Sequence, residues 1–144
     1  MLTLTCARLV NASDYLDRLL HMKIFFDVDH TILLSDSEVY ALRPGVAELF
    51  QALKDMGHQV YLWTASGEIH ARRLVERCGL QDLVLDCFDK DPIHVPMLPD
   101  MVVDDDWYLV EKYKGILVSQ YKEVNPEDRE LYRVLDCLRD GFQP

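Results

Sequence analysis

Short apolar runs alternate along the chain with stretches in which apolar residues recur every three or four positions. This alternation predicts βα units around a mostly parallel sheet. Lys23-Ile24-Phe25-Phe26-Asp27-Val28 is too continuously hydrophobic for a strand with one wet face, so it is expected as a central strand buried on both sides. A polar connection follows from Asp29 to Arg43. Pro44 then stands where a first helical residue belongs, Val46, Leu49, Phe50, Leu53 and Met56 follow at helical spacing, and Gly57 supplies the stop. The strand Gln59 to Trp63 comes next. A helix capped near Ser66 is expected after it, with Ile69, Leu74 and Val75 inward and Gly79 at its end. Leu83 to Phe88 predicts a third strand, Met101-Val102-Val103 a fourth and Ile116-Leu117-Val118 a fifth. A last helix opens at Asn125-Pro126, carries Leu131, Val134, Leu135 and Leu138 on one stripe, and stops at Gly141.

The first residues fit this order less well. Ser13 to Leu20 has the length of one short helix, and Met22-Lys23-Ile24 is a natural beginning for the first strand. Residues 1–22 are therefore expected as an extension or short helix, with Met22 as an alternative start, ahead of a domain over 23–144. The expected fold class is α/β: one Rossmann-like domain with a mostly parallel five-stranded sheet flanked by helices.

Composition narrows the classes. The 144 residues suit one domain, and 49% of them are hydrophobic, enough for a substantial core and too many for a disordered chain. Fifteen Lys and Arg stand against 25 Asp and Glu, a formal net charge of −10. Such a balance disfavours nucleic acid and anionic membrane as partners, since both call for a basic surface. No apolar run has the length of a membrane span and no leader pattern opens the chain, which makes a cytoplasmic protein the expectation. Cys6, Cys78, Cys87 and Cys137 are scattered without a CxxC pair, so reduced and mostly buried thiols are expected rather than a zinc site or a disulfide framework.

The chemistry is concentrated in Phe26-Asp27-Val28-Asp29-His30-Thr31. Strand side chains repeat every two residues, so Asp27 and Asp29 point the same way just beyond the carboxyl end of a buried strand, where open α/β sheets bind ligands. Two adjacent carboxylates repel unless a cation or a shared proton relieves them, and oxygen-only surroundings suit Mg²⁺. Asp104-Asp105-Asp106 repeats the arrangement of a strand followed by acids. If the two strands are parallel, both clusters meet at one end of the sheet, and a hard cation there has three or four protein oxygens and keeps positions open for water and a phosphate oxygen. Thr64 adds a hydroxyl at the same edge, and the N–H groups of Ala65 and Ser66 would cradle an anion. Lys90 is the candidate cation to offset phosphate charge. Arg72 and Arg73 lie inside a helix and are expected to face solvent.

In this order the chain resembles the haloacid dehalogenase superfamily of phosphohydrolases. DVDHT at 27–31, WTAS at 63–66, Lys90 and VVDDD at 102–106 match its four motifs, and the resemblance spans residues 23 to about 120. The resemblance implies that Asp27 is a nucleophile forming an aspartyl-phosphate. Asp29 would be the general acid and then the base, its backbone carbonyl also a metal ligand. Thr64 and Lys90 would hold the transferring phosphoryl group. It further implies Asp105 as a direct Mg²⁺ ligand, Asp104 as partner of Lys90 or of a bound water, and Thr31 as the residue that fixes the loop carrying Asp29. An acid at position 29 marks phosphatases apart from relatives that cleave carbon–halogen bonds, while His30 departs from the Gly often found there.

Asp29 to Arg43 is too short for a cap domain, and 66–90 is filled by a helix and a strand. The capless type is expected, with an open site suited to a macromolecular or partner-completed phosphorylated substrate; Arg43-Pro44-Gly45-Val46 and WTAS are similar to segments of small phosphatases acting on phosphorylated protein tails. Two alternatives from other classes are a catalytically idle module that binds metal or phosphate, and a receiver-type phosphoacceptor, whose acceptor Asp ends a third strand and which DxDxT on the first strand does not fit. Trp63 and Trp107 are expected as packing residues, His30 as the one histidine placed for function, and Tyr40 and Arg43 as surface loop residues beside the site, able to contact substrate although such residues usually do not.

Overall fold

The computed structural model describes residues 12–141 apart from Pro92. Helix α1 (Ala12–Leu20) leads into β1 (Lys23–Asp27), a short hairpin of β2 (Leu33–Ser35) and β3 (Tyr40–Leu42), then α2 (Val46–Asp55), β4 (Gln59–Thr64), α3 (Glu68–Arg77), β5 (Asp86–Asp89), β6 (Met101–Asp104), α4 (Trp107–Tyr113), β7 (Gly115–Leu117) and α5 (Glu130–Arg139). Strands β5-β4-β1-β6-β7 form one sheet in that order, and every pairing in it is parallel. The architecture is the expected Rossmann-like α/β sheet. Cys6 and the part of the expected extension before Ala12 lie outside the described residues; Cys78, Cys87 and Cys137 are free thiols. Among the described residues no helix is long and apolar enough to cross a membrane.

Alternation along β1 explains the two layers. Ile24 and Phe26 face one side and join a large core with Leu49, Phe50 and Leu53 of α2, Leu74 of α3, and Leu131, Val134 and Leu138 of α5. Phe25 faces the other side with Tyr61, Trp63 and Val102, covered by Phe88, Val95, Met97, Val110 and Tyr113. Burying each Leu or Phe so fully contributes about 1.5–3 kcal/mol, which is why the strand is apolar on both faces. β7 runs so close to β6 that a Cβ on Gly115 would lie 1.8 Å from the Val102 carbonyl oxygen, so glycine is required there.

Local boundaries shift where side-chain chemistry overrides periodicity. Pro44 is not the first helical residue: Pro44 and Gly45 make a turn, Gly45 has φ 93°, and α2 starts at Val46. Met56 ends that helix partly exposed instead of inward. Ser66 does not cap α3; the Asp89 carboxylate does, accepting the Glu68 N–H at 2.5 Å, and Ile69 is exposed while Ala71 and Leu74 face the core. Leu83 ends a turn and Val84 and Leu85 are irregular, so β5 begins only at Asp86. Asn125 and Pro126 also form a turn, in which the Asn125 side chain accepts from the Glu127 N–H, and α5 begins at Glu130.

From β1 the chain moves outward to β4 and β5, then returns past β1 to β6. The strand order therefore reverses between β1 and β6, and their carboxyl ends flank the crevice where such sheets bind ligands.

Candidate active site

Four of the five strands of the large sheet end in or just before a residue of the candidate site. Asp27 is the last residue of β1, Thr64 of β4 and Asp104 of β6, and Lys90 follows β5 directly. Parallel pairing of Phe26 with Val103 and of Asp27 with Trp63 places these ends side by side. Asp27, Thr64 and Asp104 are all buried, a costly position for two carboxylates.

Lys90 answers part of that charge. Its ammonium donates to Asp27 Oδ1 at 2.9 Å and to Asp104 Oδ2 at 2.7 Å. One carboxylate oxygen from each of Asp27, Asp104 and Asp105 also lies within 4.8 Å of the others, an arrangement able to hold a metal ion. Three acids face one ammonium, so with every acid ionised the group carries a formal charge of −2, which a divalent cation would cancel. The donors are all hard oxygens and few, as Mg²⁺ prefers. The Asp29 carboxylate is outside this group, so only its backbone carbonyl remains as the ligand expected of it.

The charges respond to this crowding. Burial, and then repulsion from Asp104, push the Asp27 carboxyl up to about 7 against the attraction of Lys90. Burial also raises Asp104. Burial acts on Lys90 in the opposite sense, toward loss of its proton, but the attraction of Asp27 and Asp104 outweighs it and holds the ammonium above its ordinary range. Burial would raise Asp105 too, but hydrogen bonding, led by Gln120 Nε2 at 2.8 Å, leaves it below the usual range.

Asp29 stands beside this group with its own partners. Ser66 Oγ donates to its Oδ2 at 2.7 Å and Thr64 Oγ1 at 3.4 Å, and His70 Nε2 lies 2.9 Å from its Oδ1. Against the effect of burial, the Ser66 and His70 hydrogen bonds keep its carboxyl below the ordinary value. His70 was not among the residues expected at the site. No period marked it: Ser66 lies before α3 and Gly67, at φ 98°, breaks helical spacing between the two, and His70 reaches Asp29 from the first turn of the helix.

The Thr31 hydroxyl donates to Asp27 Oδ2 at 2.8 Å and its N–H to the Val28 carbonyl, so it ties the loop carrying Asp29 back to Asp27 and also orients that carboxylate. Other expectations are corrected. The Ser66 N–H is turned onto Thr64 Oγ1 at 3.1 Å, which withdraws it from an anion cradle and leaves exposed Ala65 beside Thr64. Arg43 is 1% exposed and cannot meet substrate. Tyr40 borders open space next to His70. Trp63 is buried against Phe25 and Tyr113, but Trp107 is exposed beside Tyr108 and does no core packing. His30 is exposed in the left-handed region at φ 65°, and its carbonyl accepts the Tyr121 N–H at 2.7 Å, so its backbone shapes the loop.

The chain matches no protein-family model and no curated protein.

Proposed function

We propose that the protein is a Mg²⁺-dependent phosphomonoesterase of the haloacid dehalogenase type, working through an aspartyl-phosphate. The observation that carries this reading is the gathering of Asp27, Asp104 and Asp105 at the strand-order reversal, the first two bonded to the one ammonium of Lys90, with Asp29 and Thr64 alongside. Structural ion pairs are normally matched in charge; an acid excess beside a crevice suits a site that receives cations and phosphate.

Asp27, Asp104 and Asp105 would hold a divalent cation, which would supply neutralisation of the phosphoryl charge. Thr31 and Lys90 hold the two oxygens of Asp27, so its carboxylate is presented in one orientation. An Asp27 oxygen attacks phosphorus, the bond to the leaving oxygen breaks, and that oxygen takes a proton from Asp29. Water then attacks the aspartyl-phosphate and gives its proton to Asp29, and phosphate leaves with Asp27 restored. Without substrate, Ser66 and His70 hold Asp29 ionised; a phosphoryl dianion beside it raises its pKa by like-charge repulsion, which readies it to carry the proton. Thr64 and Lys90 face the phosphoryl oxygens, and the site is open to a phosphorylated substrate without a cap.

Release of phosphate from an aryl phosphate is expected to require Mg²⁺ and to fall to background in Asp27→Asn. Asp29→Asn is expected to lose about 10²–10⁴ of the rate. Full turnover in Asp29→Asn would remove its acid and base roles, and turnover resistant to EDTA would remove the metal. The second reading, an idle module that binds metal or phosphate, is favoured by the depressed pKa of Asp29, and it predicts Mg²⁺ binding with no phosphate release from any ester.

A further inference from the structure

Beside Asp29 the hairpin β2–β3 and helix α3 enclose a cleft of about 570 Å³ bordered by Asp36, Tyr40, His70, Arg73, Glu76 and Arg77. It adjoins the site through His70, whose ring contacts Asp29 at 2.9 Å. Its volume is that of a small-molecule pocket. Arg73 and Arg77 are exposed in a chain that carries a net charge of −10, and among the described residues neither has a carboxylate partner. Arg72, the neighbour on the other face of the same helix, is paired with both Glu68 and Asp86. Arg77 in the last turn of α3 complements the helix dipole, but Arg73 four residues before it is repelled by it, so helix stability does not account for Arg73. Arg77 sits over the Tyr40 ring, its guanidinium carbon 3.9 Å from the centroid, a contact that restricts where its fork can point. The enclosed Tyr40 hydroxyl has no protein partner. Two acids oppose the arginines in the cleft, Glu76 and Asp36, whose Oδ1 accepts the N–H groups of Glu38 and Val39 while its charge remains.

We propose that this cleft receives the leaving group of the substrate and that Arg73 and Arg77 bind a second anion on it, a carboxylate or a further phosphate. The proposal rests on the phosphohydrolase reading and names the substrate class of that site: a small phosphomonoester with two anionic groups. The planar forks of two arginines match either oxyanion.

The test uses matched pairs, a hexose bisphosphate against its monophosphate and a phosphoglycerate against glycerol phosphate. With the full chain and Mg²⁺, the second anion is expected to raise kcat/KM by roughly tenfold or more in at least one pair, and the pair that responds identifies the anion. Arg73→Gln/Arg77→Gln brings that ratio to about one, and Arg73→Gln alone, which leaves the stack on Tyr40 intact, lowers it partway. Glu76→Gln raises it. A ratio of one in the unaltered protein, or a ratio the arginine variants do not move, overturns the proposal. Calorimetric titration of the hexose bisphosphate into Asp27→Asn separates the two claims. Binding weakened by the arginine substitutions, in a protein whose unaltered form releases no phosphate, supports the cleft and removes the phosphohydrolase. Turnover with arginine-independent binding removes the cleft alone.

Discussion

Among the described residues, buried Arg43 and half-buried Lys90 both lie against acids, and they are finished differently. Arg43 donates from Nε and Nη2 to the two Asp128 oxygens at 2.8 and 3.0 Å, and spends its remaining donors on the Thr31 carbonyl and on the carbonyl and hydroxyl of Ser119. Its five donors are used, and one positive charge meets one negative charge. Lys90 lies among Asp27, Asp104 and Asp105, so there the acids outnumber the base. A matched and saturated pair is a strut, here fastening the loop after β1 to the segment before α5. An unmatched group costs folding energy that binding or catalysis has to justify.

The sharpest way to break this contrast is to remove the strut. Arg43→Met strands Asp128 and the Thr31 and Ser119 carbonyls, and is expected to lower stability by about 3–5 kcal/mol, seen as an earlier urea midpoint. A loss near zero would mean that the pair is not structural. The acid group should respond in the opposite sense. Asp27→Asn removes a buried charge that Asp104 repels, so in EDTA at neutral pH it is expected to raise stability by on the order of 1 kcal/mol while abolishing turnover. Marked destabilisation there would make the acids structural after all.

These two groups also show what was legible in the sequence. Asp27, Asp29, Asp104 and Asp105 could be placed because each follows an apolar run that must be a buried strand, and parallel strands bring their ends together. Arg43 was misplaced because its partners, Asp128 and Ser119, are 85 and 76 residues away, and nothing local marks such a pair. The hairpin β2–β3 was hidden for a related reason. Its strands have three residues each inside a polar connection, too few to show a period, and they form only because Ile32 and Leu33 reach the core. Trp107 was expected inside on hydrophobicity alone, yet it opens a short helix with no buried residue.

A smaller effect checks that pH changes are assigned to the right region. At the far end of the sheet His58 Nδ1 accepts the Met22 N–H at 3.0 Å, and burial, then His21, depress its pKa. The unfolded chain therefore binds a proton near pH 6.5 that the folded protein refuses. Stability from this group is present above that value and is lost as pH falls below it, and His58→Gln is expected to flatten the slope between pH 7 and 5. An unchanged slope would place the titration elsewhere.

The central claim is that the acids around Lys90 are in excess because a divalent cation completes them, and thermal unfolding during a Mg²⁺ titration tests it most directly. In the unaltered protein Tm is expected to climb by about 5–10 °C at a hundredfold excess over Kd, and Asp27→Asn/Asp105→Asn is expected to show no climb. A flat Tm in the unaltered protein, or an equal climb in the double variant, would contradict it.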